Sequence, residues 1–447
     1  MNREEVLSNS LKHNFWTWSA QSKVDVMPIE KAQGVYFWDF NGQKYLDLNS
    51  MVMCVNIGHG NQNVIDAIVA QAKELPFAGP HMATKPRAEL GMLLASILPP
   101  ELNRFFYTLG GSDANENAVK FARAVTGKFK ILTRYRSYHG ATMGAMALTG
   151  DRRRLAWEPN TMPGVVHFLD PYIYRSNFYQ GLEDIKEEQF TAAYLKNLEE
   201  VISYEGPQTI AAILVETVTG TNGIIIPPKG YLKGVREICD RYGILLITDE
   251  VMCGFGRTGR WFAFQHWDVV PDMVTMAKGL TSAYAPLGAV AMRPEIANHF
   301  NERVYYGGLT YNANHLGMAA AVANINVIKD KKLVEKAANT GEYLTSMLQE
   351  LKAKHPSVGD VRSIGLFAAI ELVKSRKTKE PLSGFNQPTS EVMGKVKQFI
   401  IQNGIYVHTH FNLILIIPPL IIEPEELKAG IEIIDEALKI ADEVYES

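Results

Sequence analysis

The sequences LLITDEV at residues 245–251 and MVTMAKGL at residues 273–280 decide the fold. Each is a short, almost continuous apolar run that ends near a charged side chain, Asp249 in the first and Lys278 in the second. Such runs are typical of strands that helices cover on both faces, as in a largely parallel sheet. Open α/β sheets bind their ligands beyond the carboxyl ends of the strands, so both side chains are candidates for a binding site.

Similar apolar runs extend this pattern to both sides. The predicted strands are residues 104–108, 130–133, 211–215, 244–249, 273–277 and 288–292. Helical patterns lie between them, for example at 114–125 and 232–242, and Gly243 is well placed to end the second of these helices. Alternating strands and helices predict an α/β protein with a mostly parallel sheet.

The two ends of the chain predict a second, smaller α+β domain. A chain of 447 residues exceeds the usual size of one core. Residues 1–50 contain GVYFWDFNGQKYLDL, whose alternation predicts a hairpin around Asn41-Gly42. Residues 314–447 open with an alanine-rich helix at 316–329, followed by strands at 363–372 and 412–417 and a last helix at 423–441. Residues 51–313 form the predicted large domain.

The composition excludes several classes of protein. With 45 Lys and Arg against 48 Asp and Glu, the net charge of −3 favours neither a nucleic-acid nor an acidic-membrane partner. No apolar run approaches the ~20 residues of a membrane-spanning helix. Cys54, Cys239 and Cys253 lack C-x-x-C spacing, which argues against a disulfide framework or a zinc site. We therefore expect a soluble cytoplasmic protein without a metal.

The sequence GGSDAN at 110–115 separates the predicted strand RFFYT from a helix. Glycines let the backbone approach an anion closely, and the free N–H groups at a helix start attract phosphate. Ser112 is well placed to cap this helix. The alternative is an ordinary capped turn between a strand and a helix.

Asp249 and Lys278 also allow structural interpretations. A buried carboxylate needs a donating partner, which either a protonated ring nitrogen or loop amides would provide. Desolvation favours the neutral amine that a Schiff-base lysine needs, although most lysines in proteins are solvated surface groups. The apolar residues around Lys278 favour the functional interpretation there.

Two other patterns compete with this view. GFGRTG at 254–259 has the spacing of a dinucleotide site and suggests an NAD-dependent dehydrogenase. Such a site requires a helix to begin within the motif, and the following RWFAFQHWDVVPDMV has no helical period. His408 and His410 share one face of a strand without a third metal ligand nearby, which favours a structural or substrate-lining role.

In order along the chain, the motifs resemble those of the class III (ω-amino acid) aminotransferases, a pyridoxal-phosphate (PLP) family of fold type I. The matching segments are VNIGHG (55–60), GGSDAN (110–115), YHG (138–140), LVE (214–216), DEVMCGFGRTGRWFAF (249–264), AKGLTSAYAPLGAV (277–290), GGLTYNANHL (307–316) and IPPLII (417–422). The two longest segments are highly specific, whereas each short motif alone is weak. The match runs from about residue 30 to the C-terminus.

The resemblance implies PLP as the cofactor, a seven-stranded sheet and a role for each matching residue. Lys278 would form the Schiff base and move the substrate proton, and Asp249 would pair with the pyridine nitrogen. Tyr138 and Val251 would enclose the ring. The other implied cofactor contacts are Gly111, Ser112, His139, Glu216 (a glutamate that often partners an arginine) and Thr310 from the partner subunit of a homodimer.

The substrate contacts implied by the resemblance are Trp18, Met53, Tyr138, Glu216 and His408. His408 stands where many members carry an arginine for the acceptor carboxylate, and a histidine lacks the bidentate fork of that side chain. Similarity at HNFWTWSAQ (13–21) points to the taurine and β-alanine branch, which donates to pyruvate or 2-oxoglutarate.

The predicted activity is ping-pong transamination by a homodimer, with a tetramer as an open alternative. An aminomutase or a decarboxylating aminotransferase of the same fold would use the same lysine and stays an alternative. A dehydrogenase is disfavoured by the failed GFGRTG context. A non-catalytic regulator is disfavoured because the Lys278 and Asp249 pair is complete.

Overall fold

The computed structural model of the chain describes residues 1–158, 161–180, 182 and 184–446. In chain order, its strands are Ile29–Gln33 (β1), Tyr36–Asp39 (β2), Lys44–Asp47 (β3), Arg104–Thr108 (β4), Lys130–Arg134 (β5), Val165–Phe168 (β6), Ile210–Glu216 (β7), Leu245–Asp249 (β8), Met273–Met276 (β9), Gly288–Met292 (β10), Val358–Ile364 (β11), Phe367–Ser375 (β12), Glu380–Pro381 (β13), Ile405–Tyr406 (β14), His408–His410 (β15) and Leu413–Ile416 (β16). Its α-helices are Arg3–His13, Gln62–Glu74, Lys85–Ile97, Gly111–Thr126, Met143–Leu148, Glu187–Glu205, Tyr231–Tyr242, Pro294–Asn298, His315–Asp330, Leu333–Lys354, Glu391–Gln402 and Pro424–Asp442.

A seven-stranded sheet forms the centre, in the order β4-β10-β9-β8-β7-β5-β6. Strand β10 pairs antiparallel with β4 and β9, and the pairs from β9 through β8, β7 and β5 to β6 are parallel. Every residue of β7, β9 and β10 is buried, as expected for strands with helices on both faces. The predicted mostly parallel α/β sheet is confirmed.

Two smaller sheets contain strands from both ends of the chain. The first has the order β1-β2-β3-β14, in which C-terminal β14 pairs in parallel with N-terminal β3. Strands β2 and β3 form the predicted hairpin around Asn41-Gly42. The second sheet has the order β11-β12-β16-β15, with β13 on β12. The predicted domain limits at residues 50 and 313 stay a proposal, which the shared first sheet supports.

One predicted strand is wrong. Residues 363–372 do not form a single strand, because β11 ends at Ile364 and β12 begins at Phe367. Gly365 makes the turn at φ 58°, and a Cβ there would lie 2.4 Å from the carbonyl carbon of Thr258. The continuous apolar run gave no indication of this turn, whose positive φ and close contact favour glycine. Strand β6 was also missed, because its four residues are too short for a clear period.

Three absences concern the described residues alone. None of their helices has the length and apolar character to cross a membrane. No group of three or more His, Cys, Asp or Glu in this part of the chain is arranged to hold a metal ion. The three cysteines, Cys54, Cys239 and Cys253, are all free thiols.

Candidate active site

A cavity of about 630 Å³ lies where β7, β8 and β9 end, at their carboxyl sides. Its lining includes these residues predicted from the sequence: Trp18, Met53, Gly111, Ser112, Tyr138, His139, Glu216, Asp249, Val251, Lys278 and His408. Thr310 is exposed and lies in a different depression, beside Arg87 and Tyr305. One cavity therefore brings together all the predicted site residues except Thr310, for which a partner subunit was the predicted source.

Asp249 ends β8 and is held by a network of donors. Its Oδ2 lies 2.8 Å from His139 Nδ1 and accepts a hydrogen bond of 2.8 Å from Asn115 Nδ2. Its Oδ1 accepts from the backbone N–H of Val251 at 2.9 Å. Thr275 Oγ1 donates to Asn115 Oδ1 at 2.7 Å, which fixes the orientation of that amide. The network positions a buried carboxylate rigidly.

The surroundings of Asp249 suit the cofactor that the motifs imply. Within the described residues, the one ion-pair partner of Asp249 is His139, and no lysine or arginine pairs with it. The carboxylate is only 3% exposed and faces the cavity. A buried acid without a fixed cation suits a ligand that brings its own positive charge, such as a protonated ring nitrogen. The site therefore fits PLP at this end.

Lys278 directly follows Ala277 beyond β9 and lines the same cavity. Its backbone has φ 44°, in the left-handed region that non-glycine residues rarely occupy. Buried Asn324 holds this turn by donating from Nδ2 to the carbonyls of Gly279 (2.8 Å) and Leu280 (2.9 Å). Backbone strain of this kind is concentrated at functional sites, where the surrounding structure maintains it.

The start of the helix Gly111–Thr126 forms another wall. Ser112 lies inside the first turn, so the prediction that it caps the helix is wrong, since Gly110 occupies that position. Ser112 Oγ instead accepts a hydrogen bond from the N–H of Ala141 at 3.1 Å. A Cβ on Gly111 would lie 3.0 Å from both Cγ atoms of Val251. The close approach and the N–H groups of the first turn suit a phosphate.

Glu216 ends β7 and is engaged with the backbone. Its Oε1 accepts from the N–H of Tyr138 at 3.0 Å, and its Oε2 accepts from the N–H of Gly220 at 2.7 Å. Burial raises the pKa of this carboxyl group. Within the described residues its carboxylate makes no ion pair with an arginine, so the arginine-partner role stays a prediction.

Residues 50–53 form a left-handed turn beside the cavity. The four consecutive φ values are 47°, 43°, 64° and 59°, a conformation that costs about 1–2 kcal/mol per residue. Buried Asp47 supports the turn by accepting at Oδ1 from the N–H groups of Asn49 (3.0 Å) and Met51 (3.3 Å). Ser50 Oγ donates to the carbonyl of Ile417 at 2.6 Å. These contacts hold Met53 in the cavity wall.

The GFGRTG segment has a structural role. It consists of turns, and no helix begins within it, as the failed dinucleotide context predicts. Buried Arg257 donates from Nη1 to the carbonyl of Leu366 at 3.1 Å, and from Nη2 to Asn56 Oδ1 at 3.1 Å. Burial lowers the pKa of Arg257 to about 9. The arginine therefore joins its own loop to the segments that contain Asn56 and Leu366.

Sequence reasoning missed several lining residues: Val52, Asn115, Arg152, Arg153 and Thr221. The signal for the arginines was the run DRRR at 151–154. A run of charges usually indicates a solvated face, and nothing local shows that Arg153 turns inward. His410, which was weighed as a metal ligand, lines the cavity beside His408.

Comparison with known proteins agrees with this geometry. The family model for aminotransferase class-III matches residues 18–438. The chain is 37% identical to taurine–pyruvate aminotransferase of Bilophila wadsworthia over 422 residues, 90% of each protein. It is 36% identical to putrescine–pyruvate aminotransferase of Pseudomonas aeruginosa over 410 residues, 89% of this chain and 87% of that protein.

A solved structure gives the same result. The taurine:2-oxoglutarate aminotransferase from Bifidobacterium kashiwanohense, in complex with PLP and glutamate, superimposes with a TM-score of 0.95 at 42% identity and covers 99% of both chains. Because the family model matches and the cavity has a fitting geometry, we conclude that this chain belongs to the class III aminotransferases and is a PLP-dependent enzyme.

Proposed function

We propose that this enzyme transfers the amino group of an ω-amino acid or a primary amine to pyruvate or 2-oxoglutarate by a ping-pong mechanism. The observation that carries the proposal is the position of Asp249 and Lys278 at the ends of neighbouring parallel strands, on one cavity. The named activities of the similar proteins support the choice of substrates, because they use taurine or putrescine as donors.

Each residue of the site has a proposed role. Bound PLP supplies an electron sink for the negative charge that develops at the substrate carbon. Lys278 would hold the cofactor through its amine, and the same amine would move the proton at the substrate carbon. Asp249 keeps the ring nitrogen protonated, and His139 holds Asp249 in place.

The other cofactor contacts act by positioning. Tyr138 and Val251 enclose the ring, while Gly111 and Ser112 bind the phosphate at the helix start. Trp18, Met53, Tyr138, Glu216 and His408 contact the substrate. All of these line the cavity, which supports the assignment.

The enzyme works as a homodimer in which the partner supplies Thr310. The segment around Thr310 exposes Val304 (68%), Tyr306 (91%) and Tyr311 (59%), more apolar surface than one short loop leaves in water without a partner. The helix Arg3–His13 has no buried residue, and an isolated helix of this length is marginally stable. The free cysteines are consistent with a cytoplasmic location.

A donor and acceptor panel tests the proposal. Purified holoenzyme is incubated with taurine, β-alanine, 4-aminobutyrate or putrescine, and with pyruvate, 2-oxoglutarate or no keto acid. Amino-group transfer that needs the keto acid is the expected result. Turnover without a keto acid would instead identify an aminomutase, and release of carbon dioxide a decarboxylating enzyme.

A further inference from the structure

Thr275 is a buried polar residue of β9 that reaches the cavity through another side chain. It is fully buried in a strand whose other three residues are apolar, and it is not among the described residues that line the cavity. The register of β8 and β9 pairs it directly with Asp249. A hydroxyl in such surroundings is costly unless it has a hydrogen-bond partner. Here the partner is Asn115, whose Oδ1 accepts from Thr275 Oγ1 at 2.7 Å.

The amide of Asn115 is oriented by contacts at both of its ends. Its Nδ2 donates to the carbonyl oxygen of His139 and to Asp249 Oδ2, each at 2.8 Å. Its Oδ1, at the opposite end, is the atom that Thr275 holds. Without the hydroxyl of Thr275, this oxygen of a buried side chain would lose its hydrogen bond, and leaving a buried acceptor unpaired is costly. The hydroxyl therefore helps to keep Nδ2 in place on Asp249.

The two oxygens of Asp249 are consequently not equivalent. Oδ2 is occupied by two donors, Asn115 Nδ2 and the His139 ring at Nδ1, whereas Oδ1 accepts one hydrogen bond, from the N–H of Val251. A carboxylate oxygen accepts about two hydrogen bonds, so Oδ1 has room for one more donor. The ring of His139 is held in turn by Thr133, whose Oγ1 lies 3.1 Å from Nε2. Oδ1 is therefore the oxygen available to a donor that enters the cavity.

We propose that Thr275 is a positioning residue for the cofactor. Through Asn115 it keeps Oδ2 of Asp249 engaged and so directs Oδ1 at the ring nitrogen. The same hydrogen bond strengthens the donation from Asn115, because bonds in such a chain polarise one another, and this stabilises the negative charge that a protonated ring nitrogen needs. The inference rests on the proposed role of Asp249 and extends it to a residue outside the cavity lining.

The binding of two cofactors tests the proposal. One is PLP, and the other is an analogue that carries a C–H group in place of the ring nitrogen and cannot donate to Asp249. The dissociation constant of each is measured by equilibrium dialysis of the loaded holoenzyme, and the ratio of the two constants reports the contact at the ring nitrogen. Thr275→Val keeps the shape of the side chain without the hydroxyl. We expect the preference for PLP over the analogue to fall about tenfold in this variant.

Matched variants separate this role from a general effect on the fold. Thr248 is equally buried in the neighbouring strand, and its Oγ1 has no partner among the described residues, so Thr248→Val should keep the wild-type preference. Thr275→Ser retains the hydroxyl and should restore the preference. If Thr275→Val does not fold, Asn115→Ala decides the question, with Asn117→Ala as its control. Asn117 is a buried residue of the same helix that donates to Asp113 and does not line the cavity.

Several outcomes would overturn the inference. These are a wild-type preference in Thr275→Val or in Asn115→Ala, an equal loss in the matched control, a loss that Thr275→Ser does not restore, or equal weakening of both cofactors. A wild type that binds both cofactors equally would refute the role of Asp249 and this inference with it. Failure of the proposed transamination is distinguishable, because the holoenzyme would then transfer no amino group while the preference and its dependence on Thr275 would still be measurable.

Discussion

The two halves of the cavity differ in where their residues come from. The half that we propose holds the cofactor, called the cofactor half, consists of Gly111, Ser112, Asp249, Val251 and Lys278 and belongs to strand ends and one helix start of the central sheet. The opposite half, called the substrate half because it contains the proposed substrate contacts Trp18, Met53 and His408, also includes Arg153 and His410. It comes from loops and from strand β15 of a small sheet. The first half is therefore built by the regular strands and helices of the central sheet. The second half is built by segments that are far apart in the chain.

The two halves also differ in how tightly they are held. Asp249 is part of a closed network with Asn115, His139 and Thr275, and all four side chains are buried. In the substrate half, Trp18 is 67% exposed, and Met53 depends on a left-handed turn. We therefore expect changes in the cofactor half to affect every substrate alike, and changes in the substrate half to alter the choice among substrates.

The largest effect should follow from Lys278→Ala. Without its amine, no covalent link to the cofactor forms and no residue moves the substrate proton, so turnover should fall about 10⁴-fold for every donor. The measurement is kcat for taurine and for an amine, together with covalent trapping of the cofactor by borohydride. Lys397→Ala removes another cation near His408 outside the cavity lining and should retain the trapped cofactor. Trapping in the Lys278 variant would refute the role.

Asp249→Asn should have the next largest effect. A neutral amide does not keep the ring nitrogen protonated, so turnover should fall about 10³-fold while some cofactor remains bound. The loss should be the same for all donors, as measured in single half-reactions. A nearly normal rate, or a loss confined to one donor, would show that the cofactor half does not act as a unit.

Glu250, the neighbour of Asp249, is predicted to affect the stability of the fold without taking part in catalysis. It is fully buried, accepts from Thr217 Oγ1 at 2.6 Å and from the N–H groups of Ala263 (2.8 Å) and Phe264 (3.0 Å), and burial raises its pKa to about 7. The folded state then binds the proton more tightly than the unfolded state, whose pKa is about 4.5. Stability from this group is present at low pH and is lost as the pH rises towards 7.

Between pH 4.5 and 7, the free energy of unfolding should therefore fall by about 3 kcal/mol more in wild type than in Glu250→Gln. Denaturant unfolding across this range measures the difference in pH dependence, whatever constant offset the substitution causes. Parallel curves for the two proteins would contradict the raised pKa. The ratio of activities toward different donors should not change.

The smallest effect is expected for His408→Gln. The histidine is neutral above pH 6, because its pKa is lowered to about 4, and it offers at most a neutral hydrogen bond. The loss in kcat/KM for taurine should be no more than about fivefold, and it should not depend on pH between 6 and 8. A loss much larger than fivefold, or one that appears only above pH 6, would contradict this neutral role of His408.

Sequence alone was sufficient where a residue ends a regular element. Asp249 and Lys278 were found because almost continuous apolar runs mark the strands that precede them, whereas Glu216 was predicted only from the resemblance to the aminotransferase family. The same method failed at Gly365, where a turn divides the predicted strand into two strands. It also failed at Ser112, because the helix is capped by Gly110, two residues earlier than predicted. Those positions depend on contacts with distant backbone, which a local pattern does not contain.

Sequence by itself indicated the central sheet through its apolar runs, and its motifs supplied the family resemblance that implied the remaining residues of the cofactor half, because both kinds of pattern can be read along the chain. Only the tertiary structure decided that Arg153 turns inward, held by Asp151 and Thr221, and that His408 lies in surroundings that keep it neutral. Burial and many of the charges around a side chain come from segments that are distant in the chain, so they exist only once the chain has folded.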